Sequence, residues 1–458
     1  MNRSFQAGGL DREIFRLAIP AAIQLLLHTL QFVVDTKMIS ASQPGENGGL
    51  AALALVSPIC WSLTTIFTVT SVGATAVVAR RIGEGRRQGA AAATRTAILL
   101  ALLLGTVVTM VGVIAFRPLI DWLAVRVGEG ASADVIAGAG GYLWWFLVFF
   151  PLRAVAVTLE AVLRGAGESA WPFWGGVLAN IANIIGNALL IFGLLGLPRM
   201  GVEGVGLATG LAPLVEIVLL LAVLALGWSR RLKLWDRGGL IFDREQATPM
   251  IRVSLPVLAG AVIFHSGFFY YQLAIFELDE MAMAAHRVAI ALQSAAFLPA
   301  HGFAVAAASI AGRLLGAGDR SLALRSAYRT FWLGLRFVAF ISLLFFFAAE
   351  PLVRIFDAPP ETLALAALCV RIGAFEVPFL LATESFTGTL RGAGSTMAPM
   401  VITAIGTWGL RVPLAWYLAH DIGLGVSGVW YATVADWVLR GALCWWVVRR
   451  GRWVEKQL

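Results

Sequence analysis

Apolar residues run in long blocks along this chain. Stretches of about 20 or more hydrophobic residues recur from end to end, parted by short clusters of Pro, Gly and charge. About 20 apolar residues are what a helix needs to cross a bilayer, whereas barrel strands would show short alternating segments. The blocks predict twelve spanning helices, over 14–38, 50–79, 90–116, 134–162, 171–197, 204–228, 249–276, 281–312, 322–348, 361–388, 397–420 and 426–448. The expected fold class is therefore an all-α polytopic membrane protein. Several spans exceed 25 residues, which calls for tilt or for extension beyond the bilayer. The first block is too long for a signal-peptide core and no cleavage site follows it, so it reads as a retained helix.

The pattern also repeats. Leu163-Arg164-Gly165-Ala166-Gly167 returns as Leu390-Arg391-Gly392-Ala393-Gly394, about 227 residues later. Pro151 and Pro378 each stand twelve residues before the leucine of this motif. Arg16-Leu-Ala-Ile-Pro20 pairs with Arg252-Val-Ser-Leu-Pro256, and Gly83-Glu-Gly85 with Gly316-Ala-Gly318. Gly201-Val-Glu-Gly204-Val pairs with Gly425-Val-Ser-Gly428-Val. The longest polar connection divides the two copies. The expected organisation is an N-lobe over 1–228 (helices 1–6), a cytoplasmic linker over 229–248 and a C-lobe over 249–458 (helices 7–12). Six helices per copy is an even number, so both copies enter the membrane the same way round. Such parallel repeats suit two lobes rocking about a central cleft in alternating access.

Composition agrees with this picture. The chain is 59% hydrophobic and 14% charged, with mean hydropathy +0.81. The net charge of +8 could suggest nucleic acid, but the basic residues collect on alternate loops. One side carries about 20 of them and the other about five, which places both termini in the cytoplasm. Cys60, Cys369 and Cys444 all lie in or beside apolar stretches and suggest neither a disulfide framework nor a metal site. No Walker-type loop and no catalytic constellation stands out, so an ATP-driven pump or an enzyme is not expected.

Polar residues inside spans are expensive and ask for a reason. Helix 1 carries Gln24, His28, Gln31 and Asp35 at spacings of four, three and four, which puts all four on one face. Asp35 lies about 27 Å along the axis from Leu17, near the outer mouth. It reads either as an interfacial carboxylate near Lys37 or as a cation or proton site. Pro20 removes one helix hydrogen bond and invites a bend. Helix 5 carries Asn180, Asn183 and Asn187, again on one face. These are either interhelical glue or oxygen donors to a cation and partners of Asp35. The C-lobe offers His265, Tyr270, Tyr271, Gln293, His301 and Glu384, a lining that would suit an amphipathic cation through stacking. Each of these is also an ordinary packing residue. The repeat counterparts of Asp35, Asn183 and Asn187 are about Tyr271, Thr407 and Arg411, so ion coupling is expected in the N-lobe alone. Arg153, Glu216, Arg336, Arg371, Glu376, Arg411 and Asp436 are expected to pair among themselves.

The doubled LRGAG turn, the doubled Gly-x-Gly turn and the run from Pro20 to Asp35 together resemble the multidrug and toxic compound extrusion (MATE) family, over nearly the whole chain. Within it the chain looks closest to the DinF-like branch. The resemblance implies secondary active efflux of amphipathic or cationic small molecules in exchange for H⁺ or Na⁺. It also implies an ion-coupling cluster in which Asn183 matches the family's asparagine, Asn187 stands where DinF-like members carry an acid, and Thr209 matches the helix 6 threonine. With Asp35 as the only carboxylate there, proton exchange is favoured over Na⁺. No cofactor is expected, and no metal beyond Na⁺ at the Asp35 cluster. The expected partners are a small-molecule substrate and the lipid of the inner membrane, with the chain a monomer. A lipid or lipid-linked precursor flippase of the same superfamily is the alternative. Arg371 and Arg411 would then form a cationic lining for phosphate.

Overall fold

The computed structural model describes residues 7–42, 48–127, 133–233, 241–356 and 358–456. Among them there is no strand, and the helices group into twelve spans. They are α1 (Ala7–Ser42), α2 (Gly48–Gly83), α3 (Arg87–Val127), α4 (Ala133–Val148 with Phe150–Gly165), α5 (Ala170–Phe192), α6 (Gly201–Ala225), α7 (Arg244–Phe276), α8 (Glu280–Gly316), α9 (Arg320–Phe347), α10 (Pro360–Ala374 with Val377–Gly392), α11 (Met397–Asp421) and α12 (Gly425–Arg449). Most extend a few residues past the apolar blocks, because helices continue into the basic loops. Residues 234–240 of the expected linker lie outside the described residues.

The two bent spans obey one rule. α4 bends by 54° and α10 by 48°. In each, a proline, Pro151 or Pro378, sits in the first turn of the second piece. Proline lacks the N–H that would bond back across the break, so the helix restarts there. The LRGAG turns match as closely. Glu168 N donates to Leu163 O at 2.9 Å and Ser395 N to Leu390 O at 2.8 Å. Gly167 and Gly394 adopt φ of +85° and +76°, a left-handed conformation that closes a helix and that glycine adopts without a Cβ clash. α1, by contrast, is continuously helical through Pro20.

The chain folds into two compact units, which differ from the 1–228 and 249–458 division. Unit 1 comprises 1–22, 75–85 and 251–458, and unit 2 comprises 23–74 and 86–250. Ion pairs explain why the start of α1 joins unit 1. Arg313 Nη1 donates to Glu13 Oε1 at 2.9 Å with both side chains buried, and Arg329 grips Asp11 at 2.7 and 2.6 Å. Unit 1 packs Ile14, Leu17, Phe303, Phe386 and Trp430 into its core. Unit 2 packs Phe67, Leu143, Phe150 and Val205. The three cysteine thiols are buried and unlinked. Outward-facing positions are apolar as well: Leu103, Met110 and Ile114 of α3 are 61%, 61% and 79% exposed. An apolar stripe of that length is stable against lipid and unstable against water.

Candidate functional site

Unit 2 gathers the α1 and α5 polar residues into a chain of hydrogen bonds. Asn187 Nδ2 donates to Asp35 Oδ1 at 2.6 Å and lies 3.3 Å from Asn183 Oδ1. Asn183 Nδ2 donates to Thr209 Oγ1 on α6 at 3.2 Å. Asp35 is 6% exposed, and Asn183 and Asn187 are fully buried. When Asp35 is ionised, a charge-assisted bond of this kind is worth about 1.5–3 kcal/mol. Asn187 Oδ1 is buried without a hydrogen-bond partner among the described residues. It is an acceptor beside a carboxylate, and it suits a proton-bearing or cationic guest.

Asn180 does not join this chain; its Nδ2 donates to Gly176 O of its own helix. Tyr142 on α4, which the sequence did not single out, is a further neighbour of Thr209 and Asp35. Its only signal was a hydroxyl among apolar sequence neighbours.

The other end of the α1 polar face belongs to a second group. Gln24 Nε2 donates to Glu160 Oε1 at 2.7 Å, and Arg164 Nη2 donates to Gln24 Oε1 at 2.5 Å and to Glu160 Oε2 at 2.8 Å. Arg164 of the first LRGAG turn is thus bound inside unit 2. His28 has Arg153, Glu160 and Arg164 as charged neighbours, and Gln31 is half-buried between the two groups.

Unit 1 presents a different arrangement at the counterpart positions. Arg411 pairs with Asp436 at 2.7 Å, and Arg440 with the same carboxylate at 2.6 Å. Arg440 Nη2 donates to Thr407 Oγ1 at 2.6 Å. Arg411 lies 5.6 Å from the centre of the Tyr271 ring, and Thr433 donates to the Tyr271 hydroxyl at 3.1 Å. A π-helical stretch, Ile405–Arg411, aims Thr407 and Arg411 at this carboxylate. Gly406 leaves the room, since a Cβ there would collide with Asp436 and Arg440. Glu376 is fully buried beside Arg411 and Asp436, and both of its carboxyl oxygens lack a hydrogen-bond partner among the described residues.

The remaining candidates of this unit do not converge. Tyr271 is in the Arg411 group. His301 Nδ1 lies 4.0 Å from Glu384 Oε2. His265 meets Phe264 edge-on, and Gln293 is half-buried. Nor do the expected buried charges all pair among themselves. Arg371 binds Glu350 at 2.8 Å on an exposed face, and Arg336 is exposed. The two arginines that would line a phosphate path are therefore committed to carboxylates, Arg371 to Glu350 and Arg411 to Asp436.

The sequence matches the MatE family model over residues 20–189 and 256–417. A probable multidrug resistance protein NorM of Thermotoga maritima is 29% identical over 97% of this chain and 93% of its own length. Multidrug resistance protein PmpM of Pseudomonas aeruginosa is 27% identical over 96% of this chain and 91% of its own. Among solved structures, an outward-facing multidrug resistance MATE family transporter of the MOP superfamily superimposes with TM-score 0.86 at 21% identity, over 98% of this chain and 97% of that one. A MOP superfamily transporter from Pyrococcus furiosus, described as having a binding pocket of reverse polarity, superimposes with TM-score 0.83 at 22% identity, over 98% and 97% of the two chains. With twelve helices, doubled turns and a family match over both halves, this chain belongs to the MatE family of membrane transporters and is not an enzyme.

Proposed function

We propose that the protein is a multidrug efflux antiporter that exports amphipathic or cationic small molecules in exchange for protons. The observation that carries this reading is the buried Asp35–Asn187 bond, backed by Asn183 and Thr209. A lone carboxylate within an apolar span is costly when charged and cheap when protonated. It gains or loses one proton with a large change in its interactions, and that change biases two conformations differently. One carboxylate with amide and hydroxyl oxygens is a thin ligand set for Na⁺, so the proton is the better fit.

In this reading the protein acts as a monomer in the inner membrane, with both termini cytoplasmic and Asp35 toward the outer face. It belongs to the DinF-like branch and works by alternating access of its two sequence halves, 1–228 and 249–458. No cofactor takes part. The relatives' names, which describe multidrug resistance, support the substrate class.

The test is dye efflux from everted vesicles driven by an imposed proton gradient and, separately, by a sodium gradient. Proton-driven efflux that is lost in Asp35→Asn is the expected result. Undiminished coupled efflux in that variant would sink the assignment of Asp35.

A further inference from the structure

α6 and α12 end alike. Each runs 25 residues and is followed, two residues past its end, by a left-handed glycine, Gly227 at φ +74° and Gly451 at φ +71°. The residue after LRGAG, however, is Glu168 in unit 2 and Ser395 in unit 1. Glu168 is 7% exposed, and its Oε1 accepts from the backbone N–H groups of Arg230 and Arg231 at 2.9 and 3.1 Å. That carboxylate braces the chain beyond α6. In unit 1 it is missing, and Ser395 instead borders a cleft of about 430 Å³ against the chain beyond α12.

The cleft is built for an anion. Arg450, Arg452 and Lys456 line it, and Glu455 is outnumbered by them. Counted from Gly227 as those cations are counted from Gly451, the same three positions in unit 2 hold Leu226, Trp228 and Leu232. Unit 1 has therefore lost a carboxylate and gained three cations at one place. Arg450 lies over the Trp446 ring at 3.5 Å from its centre. Such stacking holds the guanidinium plane and leaves its N–H edge free to donate. The helical turn Arg452–Glu455 is fixed from two sides. Trp453 Nε1 donates to Val448 O at 3.0 Å, and Arg80 Nη2 of α2 donates to Lys456 O at 3.2 Å. Among the described residues, Arg450, Arg452 and Lys456 form no ion pair.

The surroundings select the anion. Trp446 is 44% exposed on a spanning helix, and Met397 and Val401 of α11, two and six residues beyond Ser395, are exposed as well. Tryptophan beside arginine at the end of such a helix marks the boundary of lipid and water. We propose that the cleft binds the phosphate headgroup of an anionic phospholipid, whose acyl chains lie along the exposed apolar residues of α11 and α12. Free phosphate would use the cations and leave that apolar surface uncovered. A zwitterionic headgroup would bring its own ammonium into a cleft where cations are already in excess. A glycerol headgroup brings none, so phosphatidylglycerol is the better fit. Lipid phosphate would then brace in unit 1 the chain end that Glu168 braces in unit 2. The site does not rest on the antiport reading.

The test is native mass spectrometry of the full-length protein in neutral detergent, titrated with phosphatidylglycerol or with phosphatidylcholine of the same acyl chains. Wild type should bind the first phosphatidylglycerol more tightly than the first phosphatidylcholine. Arg452→Ala and Lys456→Ala should each weaken phosphatidylglycerol about fivefold and leave phosphatidylcholine unchanged. Ser395→Glu, which restores the carboxylate of unit 2, should abolish the preference. Arg87→Ala, which removes an exposed cation outside the cleft, should change nothing. Equal affinity for the two lipids in wild type overturns the proposal, and so does a wild-type preference in Ser395→Glu. Arg452 and Lys456 are exposed, so the test stays decisive if Ser395→Glu does not fold: unchanged phosphatidylglycerol affinity in both alanine variants overturns the proposal. An equal loss in Arg87→Ala does the same, since it would mean a general attraction to positive charge. Inorganic phosphate, added as competitor, separates the two sources of phosphate. Retention of the lipid is expected, and its displacement by millimolar phosphate would overturn the headgroup assignment.

Discussion

Arg411 lies over the face of Tyr271 at 5.6 Å, and the repeat counterparts of these two residues, Asn187 and Asp35, share a 2.6 Å hydrogen bond. The duplicated helices thus bring the same two positions together in each unit, while the residues there have opposite electrostatic character. One pair offers a carboxylate and an amide that can trade a proton. The other offers a permanent cation resting on a π-face, held by Asp436. Coupling chemistry is available to the first and not to the second.

This contrast makes Asn187 a point of leverage. Asn187→Asp would set a second carboxylate against Asp35, and two such charges call for a cation between them. The variant should acquire sodium-dependent efflux that wild type lacks. Efflux rates under a sodium gradient, with the proton gradient collapsed, measure it; an unchanged ion preference would contradict the prediction.

The Asp436 site should be far more sensitive than the exposed ion pair of the same unit. Asp436→Asn leaves Arg411 and Arg440 buried without their counter-charge, at a cost of about 3–5 kcal/mol. Arg371→Ala removes a pair whose side chains are 42% and 54% exposed, which is worth at most about 1 kcal/mol. Apparent melting temperatures of the purified protein should fall by several degrees in the first variant and barely move in the second.

Gln24→Leu should destabilise unit 2 although leucine suits a membrane span. Glu160 would lose a donor and Arg164 an acceptor, a loss of about 1–3 kcal/mol for the groups left unsatisfied. The same melting assay reads it. A variant as stable as wild type would mean that neither bond matters.

The left-handed glycines offer a symmetric test. Gly167→Ala and Gly394→Ala each force a Cβ into positive φ, at about 1–2 kcal/mol. The two variants should lose similar stability, since the turns share their hydrogen bonds. A loss confined to one turn would show that the likeness of their backbones is not energetic.

The spans, the doubled turns and the Asp35–Asn187 contact were legible because each rests on periodicity or on a residue that lipid penalises. Pro151 and Pro378 were legible as a repeated pair, though not as the cause of bends. Asn180 shares the helical face but lies further along it, and its amide N–H donates to Gly176 of its own helix. Two groups were seen only in part: Arg411 and Asp436 were expected to pair, but their further partners were not named. Glu160 with Arg164 and Asp436 with Arg440 both have the four-residue spacing of neighbours on a helix, a signal that was available. Gln24 and Thr407, which complete them, lie 136 and 33 residues away and are found only by folding. The π-helical turns of α11 had no periodic signature, since its apolar residues fit an ordinary helix equally well.

The burial of Cys60, Cys369 and Cys444 has a practical corollary. A protein whose three native thiols are all buried, Cys369 and Cys444 completely, should react slowly with maleimide and methanethiosulfonate reagents. Reporter cysteines at exposed sites can be introduced into the wild-type background, so motion can be followed in a protein whose interior packing is untouched.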